Sequence, residues 1–411
     1  MDTELNQRQS RKLIAVVTPG DVNDPGSFSG LPHGLKHALQ RLDFEVLPVQ
    51  TWSSSAVEQA TLAVLGLSFL RREDVRHPRV GYWRARMQAR HLDAFSRLTG
   101  MLASRRLHSA GQPLSGIIQH GCEVELRRPP ARYVTFEDQT LALARRAPHE
   151  YEHLTRTPIR SLERWEARHR RVYRKAEACC TTSHWAAESA INDYDVPRDR
   201  VHVVGIGRNN EPALIERDWS IPKFLWIGKE WTRKNGQAVI DAFAEVRSEV
   251  PGAELHVVGS HPPLQAPGVH CHAFLDPSNA EQQTRLTSLF ARATCFVLPS
   301  LHEPSATAYA EAAAAGLGSI GTTAGGSATI IQDGGILIDP QAPAELTRAM
   351  RRFCDPQVAC ALGERACRRS VLFTWEAVAR RLVRALGLPV KPPEDPLLSE
   401  YLDDVALAGN G

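Results

Sequence analysis

The stretch FLWIGKEWTRKNGQAVIDAF (residues 224–243) begins as a short apolar run, continues through a basic loop and ends as a segment of helical character. A strand inside a parallel sheet has this apolar character, because helices cover both of its faces. A strand followed by a loop and a helix is the repeating unit of an α/β fold. The stretch therefore predicts an α/β fold for its half of the chain.

The same alternation of apolar runs and helix-like segments extends through all 411 residues. It predicts an α/β protein with two Rossmann-like domains, whose ligands bind beyond the carboxyl ends of the strands. The other strand-like runs are LIAVV (13–17), FEVLPV (44–49), GIIQ (116–119), VHVVG (201–205), ELHVVG (254–259), CFVLP (295–299) and ILI (336–338).

The segment 208–223 is polar, contains proline and has neither helical nor strand periodicity, so it predicts a linker. We expect an N-terminal, acceptor-side domain over residues 1–210 and a second, donor-binding domain over 220–372. The final helix, 373–388, is expected to pack back on the N-terminal domain. The proline-rich tail, 389–411, is expected to be extended.

Charge and hydropathy exclude several classes of protein. The 49 Lys and Arg against 46 Asp and Glu give a net charge of +3, which does not indicate nucleic-acid binding. The first residues are charged where a secretory signal needs an apolar core, and no apolar run reaches the ~18 residues of a membrane span. The sequence thus predicts a soluble, cytoplasmic protein.

The eight cysteines are too dilute for a disulfide framework, and they lack the CxxC spacing of zinc sites. We expect reduced core or helix residues and no metal ligands. His33 and His37 lie four residues apart, which would bring two ligands to one helix face, but no third ligand is evident. Two ordinary helix histidines are the simpler interpretation.

The segment LPSLHEPSATAYAEAAAAG (298–316) carries two glutamates around a predicted helix start. Glu303 lies in the loop after a strand, and Glu311 lies inside the helix. The helix start near Ser305 would favour a diphosphate, because its N–H groups lack partners and carry the positive end of the helix dipole. Two unrelated surface carboxylates are the alternative, which the spacing alone favours.

A basic loop follows the strand at 224–228 and contains Lys229, Arg233 and Lys234. Two lysines five residues apart around a turn can hold a diphosphate as point charges. Lysines that serve only solubility are the alternative interpretation.

Together, these two segments resemble the family-4 retaining glycosyltransferases, whose GT-B fold places two Rossmann-like domains face to face across a cleft. Weaker matches extend the resemblance over residues 12–387. The matching motifs are the loop with Gly228, Lys229 and Lys234, the E-x7-E pair Glu303 and Glu311, and the stretch AGLGSIGTTAGGSATIIQDGGILIDP (315–340).

The resemblance implies a role for each matching residue. Lys229 and Lys234 would hold the donor diphosphate. Glu311 would accept hydrogen bonds from the nucleotide ribose, and Glu303 would contact the transferred sugar. The implied donor-binding set is completed by Gly228 and by the backbone N–H groups of Ala306 and Thr307.

The first domain contributes two further candidates. His120 ends a strand at a position where family members often place a polar residue that faces the transferred sugar, so it is a candidate contact to a sugar hydroxyl. An ordinary core or loop histidine is the alternative. Gly30, in the loop 19–32, would bring backbone near the donor phosphates, although such glycine turns follow the first strand of many Rossmann-like domains.

Four positions depart from the family's pattern. Lys229 stands where many members have arginine, Ser305 and Ala306 replace Phe-Gly, and Thr329 stands where glutamate is common. None of these changes removes a charge that the implied mechanism needs. They leave the identity of the donor sugar open.

The implied reaction moves a sugar from a UDP- or GDP-sugar to an acceptor with retention of anomeric configuration. It needs no cofactor and no metal, because lysines and a helix dipole neutralise the leaving diphosphate. The acceptor could be a saccharide, a lipid-linked molecule or a small molecule. Two alternatives are a hydrolysing nucleotide-sugar epimerase of the same architecture and a non-catalytic subunit that binds a nucleotide sugar.

A basic surface on the first domain would suit a weak peripheral contact with a membrane or a phosphorylated acceptor, with solvated helix faces as the alternative. The apolar stretch 60–72 would suit an interfacial anchor, but a buried core helix is the simpler interpretation. The arginines concerned are Arg71, Arg72, Arg84, Arg86, Arg90, Arg105, Arg106, Arg127 and Arg128, with a further run at 164–175.

Overall fold

The computed structural model describes residues 11–52, 56–70, 78–147, 150–155, 157–213 and 215–394, together with 396 and 398. Their strands form two parallel sheets, one in each half of the chain, which confirms the predicted α/β class. The arginines at positions 71 and 72 and the tail residues 399–411 lie outside the described residues, as does the side chain of Arg84.

Among the described residues, each sheet contains six strands. The first consists of β1 (Leu13–Thr18), β2 (Glu45–Gln50), β3 (Leu114–His120), β4 (Tyr133–Glu137), β5 (Ala178–Thr181) and β6 (Val201–Val203). The second consists of β7 (Lys223–Gly228), β8 (Glu254–Gly259), β9 (Val269–His272), β10 (Cys295–Val297), β11 (Gly318–Thr322) and β12 (Gly335–Ile338).

Helices connect the parallel strands and cover the faces of the sheets. Those of the first half are α1 (Leu31–Arg41), α2 (Ala56–Gly66), α3 (Pro78–Arg90), α4 (Asp93–His108), α5 (Leu141–Arg146), α6 (Glu152–Thr155), α7 (Ile159–Lys175) and α8 (His184–Tyr194). Those of the second half are α9 (Gly236–Glu249), α10 (Ala280–Arg292), α11 (Thr307–Ala314), α12 (Ser327–Ile331), α13 (Pro343–Phe353), α14 (Pro356–Arg369) and α15 (Trp375–Ala385).

The strand order of each sheet creates one switch point. The first sheet runs β2-β1-β3-β4-β5-β6, and the second runs β12-β11-β10-β7-β8-β9. The order therefore reverses between β1 and β3 and between β7 and β10. At such a point the connections leave toward opposite faces, so a crevice opens beyond the carboxyl ends of the two strands. The loop after β7 contains Lys229–Lys234, and β10 leads to Glu303.

Four strands escape the sequence analysis: β4, β5, β9 and β11. The reason is clearest for β11 (GSIGT), which consists mostly of small residues. A Cβ atom on Gly318 would lie 2.8 Å from side-chain atoms of Phe353 and Leu362, and one on Gly321 would lie 2.2 Å from Ile331. Close packing of helices on the strand selects these glycines, and they remove the apolar run that would have identified it.

The last helix, α15, packs against α1 of the first domain, although it follows the second domain in sequence. Trp375 begins this helix and fills the space between Gly34 of α1 and Gly207, which directly precedes the linker. Its indole N–H donates to Asn209 Oδ1 at 3.0 Å. The linker and the returning chain also lie side by side, because Arg208 N–H donates to the Phe373 carbonyl at 2.9 Å.

The interpretation of residues 60–72 as a buried core helix is wrong for the residues that the structure describes. Leu62 of α2 is buried, whereas Val64 is 67% exposed and Leu67 is 63% exposed. One side of α2 packs on α3, and the opposite apolar side faces solvent. Within the described part of the chain, no helix is both long and apolar enough to cross a bilayer.

Replacing Gly34 tests the packing of α15 on the first domain. Alanine in a helix is ordinarily about 1 kcal/mol more favourable than glycine. Here the added Cβ would lie 2.2 Å from the Trp375 indole nitrogen, so the tryptophan must move. We expect Gly34→Ala to lower the free energy of unfolding by roughly 1–3 kcal/mol, measured by denaturant titration.

The matched control is Gly111→Ala, because a Cβ atom there meets nothing within 4 Å. A Gly34→Ala variant as stable as the parent protein, or more stable, would contradict this account of the contact.

Candidate functional site

A cavity of about 430 Å³ lies where the carboxyl ends of the two sheets face each other. Both domains contribute to its wall. The second domain supplies Lys229, Arg233, Lys234, Glu303, Ser305, Ala306, Thr307 and Glu311, and the first supplies Pro25, Ser29, Asp138 and Tyr151. Six of the nine residues that the sequence singled out therefore lie on one cavity.

Glu303 is the most buried charge on this wall, with 2% of its surface exposed. Its Oε2 atom accepts hydrogen bonds from Lys234 Nζ and, at 2.8 Å, from Ser300 Oγ. Arg233 Nη1 lies 4.0 Å from the same oxygen. Desolvating a carboxylate costs several kcal/mol unless it is paired, so these neighbours allow the charge to remain at the base of the cavity.

A glycine turn holds the loop that carries Glu303. Glu303 N–H donates to the Ala324 carbonyl, and Gly326 N–H donates to the Glu303 carbonyl, each at 2.9 Å. Gly325 has a φ of +132°, and a Cβ atom there would lie 2.1 Å from the Glu303 carbonyl oxygen. Only glycine fits this contact. The Gly-Gly pair in the family-like stretch 315–340 thus positions the glutamate.

The loops after β7 and β10 are joined directly. Leu301 N–H donates to the Arg233 carbonyl at 2.8 Å, and Arg233 Nη1 donates to the His302 carbonyl at 3.0 Å. The exposed side of the basic loop carries Lys229, whose ammonium lies 4.6 Å from the centre of the Phe274 ring. Cations from one loop thereby face the carboxylate from the other.

Glu311 lies on α11 and contacts the linker. Its Oε1 atom accepts from Asn209 N–H at 3.4 Å and from Asn210 Nδ2 at 3.1 Å. Burial raises the pKa of Glu311 to about 7, although these hydrogen bonds act in the opposite direction. The sequence analysis missed the two asparagines, because the linker has no periodicity that would point to a site.

The N-terminus of α11 faces the cavity. The helix begins at Thr307, so the N–H groups of its first turn have no partner within the helix. Ser305 lies just before it, and its buried hydroxyl has no hydrogen-bond partner among the described residues. Backbone N–H groups and a hydroxyl are therefore available here to an anionic ligand.

Gly228 and Gly30 are not among the residues that line this cavity. Gly228 is buried behind it, and a Cβ atom on Gly228 would lie 2.7 Å from the Trp226 ring. A Cβ atom on Gly30 would lie 2.8 Å from Asn209 Oδ1. Both glycines permit close packing in the structure as it stands.

His120 is also not among the residues that line this cavity. Its Nδ1 atom is 3.1 Å from Thr18 Oγ1, and its ring meets the Phe28 ring edge-on with centroids 5.2 Å apart. Burial lowers the pKa of His120 to about 4, so the imidazole is neutral at pH 7.

Asp138 is a cavity residue that the sequence analysis missed. It directly follows β4, and β4 itself was not identified. Burial, with a contribution from the nearby charge of Glu303, raises the pKa of Asp138 to about 6. The next residue bridges the domains, because Gln139 Oε1 lies 3.0 Å from His302 Nε2 and Gln139 Nε2 donates to the Tyr151 hydroxyl at 2.5 Å.

Thr329, at a position where the family often has glutamate, makes another contact between the domains. Its hydroxyl accepts from His184 N–H at 3.1 Å. The residue therefore joins α12 to the start of α8, away from the cavity lining.

Part of the chain is similar in sequence to known glycosyltransferases. Residues 221–355 match the family Glycosyl transferases group 1. The chain is 26% identical over 224 residues to a D-inositol 3-phosphate glycosyltransferase of Corynebacterium kroppenstedtii, covering 48% of each chain. It is 32% identical over 100 residues to the protein of that name from Streptomyces avermitilis, covering 24% of this chain and 22% of the relative. The chain thus spans half or less of the length of these curated relatives.

Two solved structures are similar over most of the chain. A sucrose-phosphate synthase from Thermosynechococcus elongatus is 17% identical with a TM-score of 0.56, covering 91% of this chain and 98% of that one. WaaG, a glycosyltransferase involved in lipopolysaccharide biosynthesis, is 15% identical with a TM-score of 0.55, covering 90% and 99%. These matches confirm the predicted GT-B fold, and residues 221–355 are similar to the Glycosyl transferases group 1 family.

Proposed function

We propose that this protein is a retaining glycosyltransferase that moves a sugar from a nucleotide diphosphate donor to an acceptor. The observation that carries the proposal is the convergence of three groups on one cavity: the cations of the loop after β7, the paired glutamates of the segment after β10, and the start of α11. A nucleotide sugar has a chemical counterpart for each group, in its diphosphate, its ribose and its sugar.

In this proposal the donor diphosphate lies between the lysines and the N-terminus of α11. Lys229 is exposed and free to approach a phosphate, whereas Lys234 now pairs with Glu303. The ammonium of Lys234 can bridge this carboxylate and a phosphate, because it has three donors. Negative charge grows on the diphosphate as the sugar bond breaks, and preorganised cations and N–H groups stabilise it without a metal or cofactor.

The remaining contacts follow from the same placement. Glu311 would accept from the ribose hydroxyls after displacing the asparagines of the linker. Glu303 would contact the transferred sugar from the base of the cavity. His120 would reach a sugar hydroxyl only if the Phe28 ring beside it moves, and the backbone at Gly30 and Gly228 would act by shaping the phosphate-binding loops.

The acceptor would enter from the first domain, where Asp138 and Tyr151 form the facing wall. The relatives named for D-inositol 3-phosphate make a polyol phosphate one acceptor class to include in an assay. In a retaining transfer the leaving phosphate can take the acceptor proton, so no separate general base is needed.

A weak peripheral contact with an anionic membrane remains part of the proposal. It is supported by the exposed side chains of Val64 and Leu67 on the first domain. Part of the basic run 164–175 is neutralised within the protein, because Arg171 and Lys175 both pair with Glu125.

The direct test is incubation of the purified protein with a panel of α-linked UDP- and GDP-sugars, with and without acceptors. We expect an acceptor-dependent product that keeps the α configuration, assigned from its anomeric coupling by proton NMR. A β-linked product would contradict retention. Acceptor-independent release of free sugar would favour the hydrolysing epimerase, and binding without turnover would favour the non-catalytic subunit.

Glu311→Gln should weaken donor binding by about 1.5–3 kcal/mol at pH 8, measured by calorimetry, because ribose hydroxyls donate to a charged carboxylate. The carboxylate is charged above its pKa of about 7, so the parent protein should bind the donor more tightly as the pH rises from 6 to 8. The variant should lack this dependence. Glu364→Gln, at an exposed glutamate of α14, is the control. An unchanged affinity in Glu311→Gln would remove this residue from the site.

Lys234→Ala should lower kcat by at least ~100-fold with a smaller change in donor affinity, because the lysine acts on charge that develops in the transition state. Steady-state kinetics and donor titration together separate the two effects. Lys223→Ala, at the opposite end of β7, is the matched control. Activity of Lys234→Ala within a few-fold of the parent enzyme would rule out the phosphate-binding role.

A further inference from the structure

Three side chains of metal-ligand type meet in the interior of the first domain. They are Cys122 from the loop after β3, Glu137 from the end of β4 and His169 from α7, and all three are buried. One ligand atom of each lies within 4.8 Å of those of the other two. Cys122 Sγ donates a hydrogen bond to Glu137 Oε1 at 2.8 Å.

The imidazole of His169 is the unusual member of this cluster. Both of its ring nitrogens are buried without a hydrogen-bond partner among the described residues. Buried polar atoms in native proteins are nearly always hydrogen-bonded, because burying one without a partner is unfavourable. The imidazole therefore lies beside a thiol and a carboxyl group, and its nitrogen lone pair is available to a cation.

We propose that Cys122, Glu137 and His169 bind a Zn²⁺ ion with a structural role. A thiolate, an imidazole and a carboxylate are all common zinc ligands. Zn–S bonds of about 2.3 Å and Zn–N or Zn–O bonds of about 2.0–2.2 Å would require the Cys122–Glu137 contact to open somewhat from its present 2.8 Å.

The charge balance of such a site suits its burial. The thiol of Cys122 and the carboxyl group of Glu137 would bind as anions, and the imidazole of His169 would bind as a neutral ligand. Binding breaks the S–H and O–H bonds, forms bonds from zinc to sulfur, oxygen and the imidazole nitrogen, and releases two protons to solvent. One divalent cation with two anionic ligands is neutral, which avoids the cost of an unpaired buried charge.

The location of the cluster indicates what the ion would stabilise. Cys122 is two residues beyond His120, and Glu137 directly precedes Asp138 on the cavity wall. A metal at this point would tie the loop after β3 to the end of β4 and to α7. The inference goes beyond the proposed transfer reaction and does not depend on it, because its test measures metal rather than activity.

A second cluster provides a competing location for zinc. Glu254 and His256 of β8 and His270 of β9 also have ligand atoms within 4.8 Å of one another, and His270 is exposed. This edge cluster contains no sulfur ligand. The ligand set of a bound ion therefore distinguishes the two locations.

The first measurement uses the full-length protein, purified without a polyhistidine tag and dialysed against metal-free buffer. We expect about one zinc per chain by elemental analysis, and X-ray absorption should show one sulfur at about 2.3 Å together with nitrogen and oxygen neighbours. The inference is overturned by zinc in less than about a tenth of the chains after expression in zinc-supplemented medium, or by bound zinc without sulfur.

Variants then assign the ligands. Cys122→Ala should contain at least tenfold less zinc than the parent protein. Cys180 is a buried thiol in the core on the other face of the same sheet, so Cys180→Ala should keep the zinc. His270→Ala should also keep it. Zinc retained in Cys122→Ala, or lost in His270→Ala, would place the ion elsewhere. If Cys122→Ala does not fold, the sulfur signal of the parent protein decides the question.

Discussion

The buried carboxylate of Glu303 is the constraint on which the site depends. A charge with 2% exposure must be neutralised, and its partners Lys234 and Arg233 come from the loop of the neighbouring strand. The ion pair therefore joins the two loops at the switch point of the second sheet. The close turn at Gly325 and the start of α11 are placed by the same loop, so one electrostatic requirement aligns most of the cavity wall.

Much of this arrangement could be predicted from the sequence, because it follows from local patterns. Strands buried on both faces, such as β7, are continuous apolar runs, and charged residues directly after them lie at the carboxyl edge of the sheet. Lys234 and Glu303 were found in this way. The strand β11 is also buried, but it is not an apolar run, because close contact with helices selects glycine and serine there.

The residues that escaped prediction depend on contacts between distant parts of the chain. Asp138 was missed because β4 was not identified, so nothing placed it at a strand end. Asn210 belongs to a segment without periodicity, and only the folded chain brings it to Glu311. His120 and Gly228 show the converse limit, because neither lines the cavity. A motif predicts that a residue lies near a site, but it does not predict which atoms that residue contacts.

The paired crossing of the chain between the domains restricts how the cleft can move. A single chain connection would allow one domain to rotate on the other. Here two chain segments lie side by side and are joined by the Arg208–Phe373 hydrogen bond. Torsion would break that bond and pull Trp375 from its place against Gly34, whereas bending would leave both intact. We therefore expect the domains to open by hinge bending about this crossing. Glu311 is held by residues next to this hinge, so it would move least. The contact between Gln139 and His302 would break first.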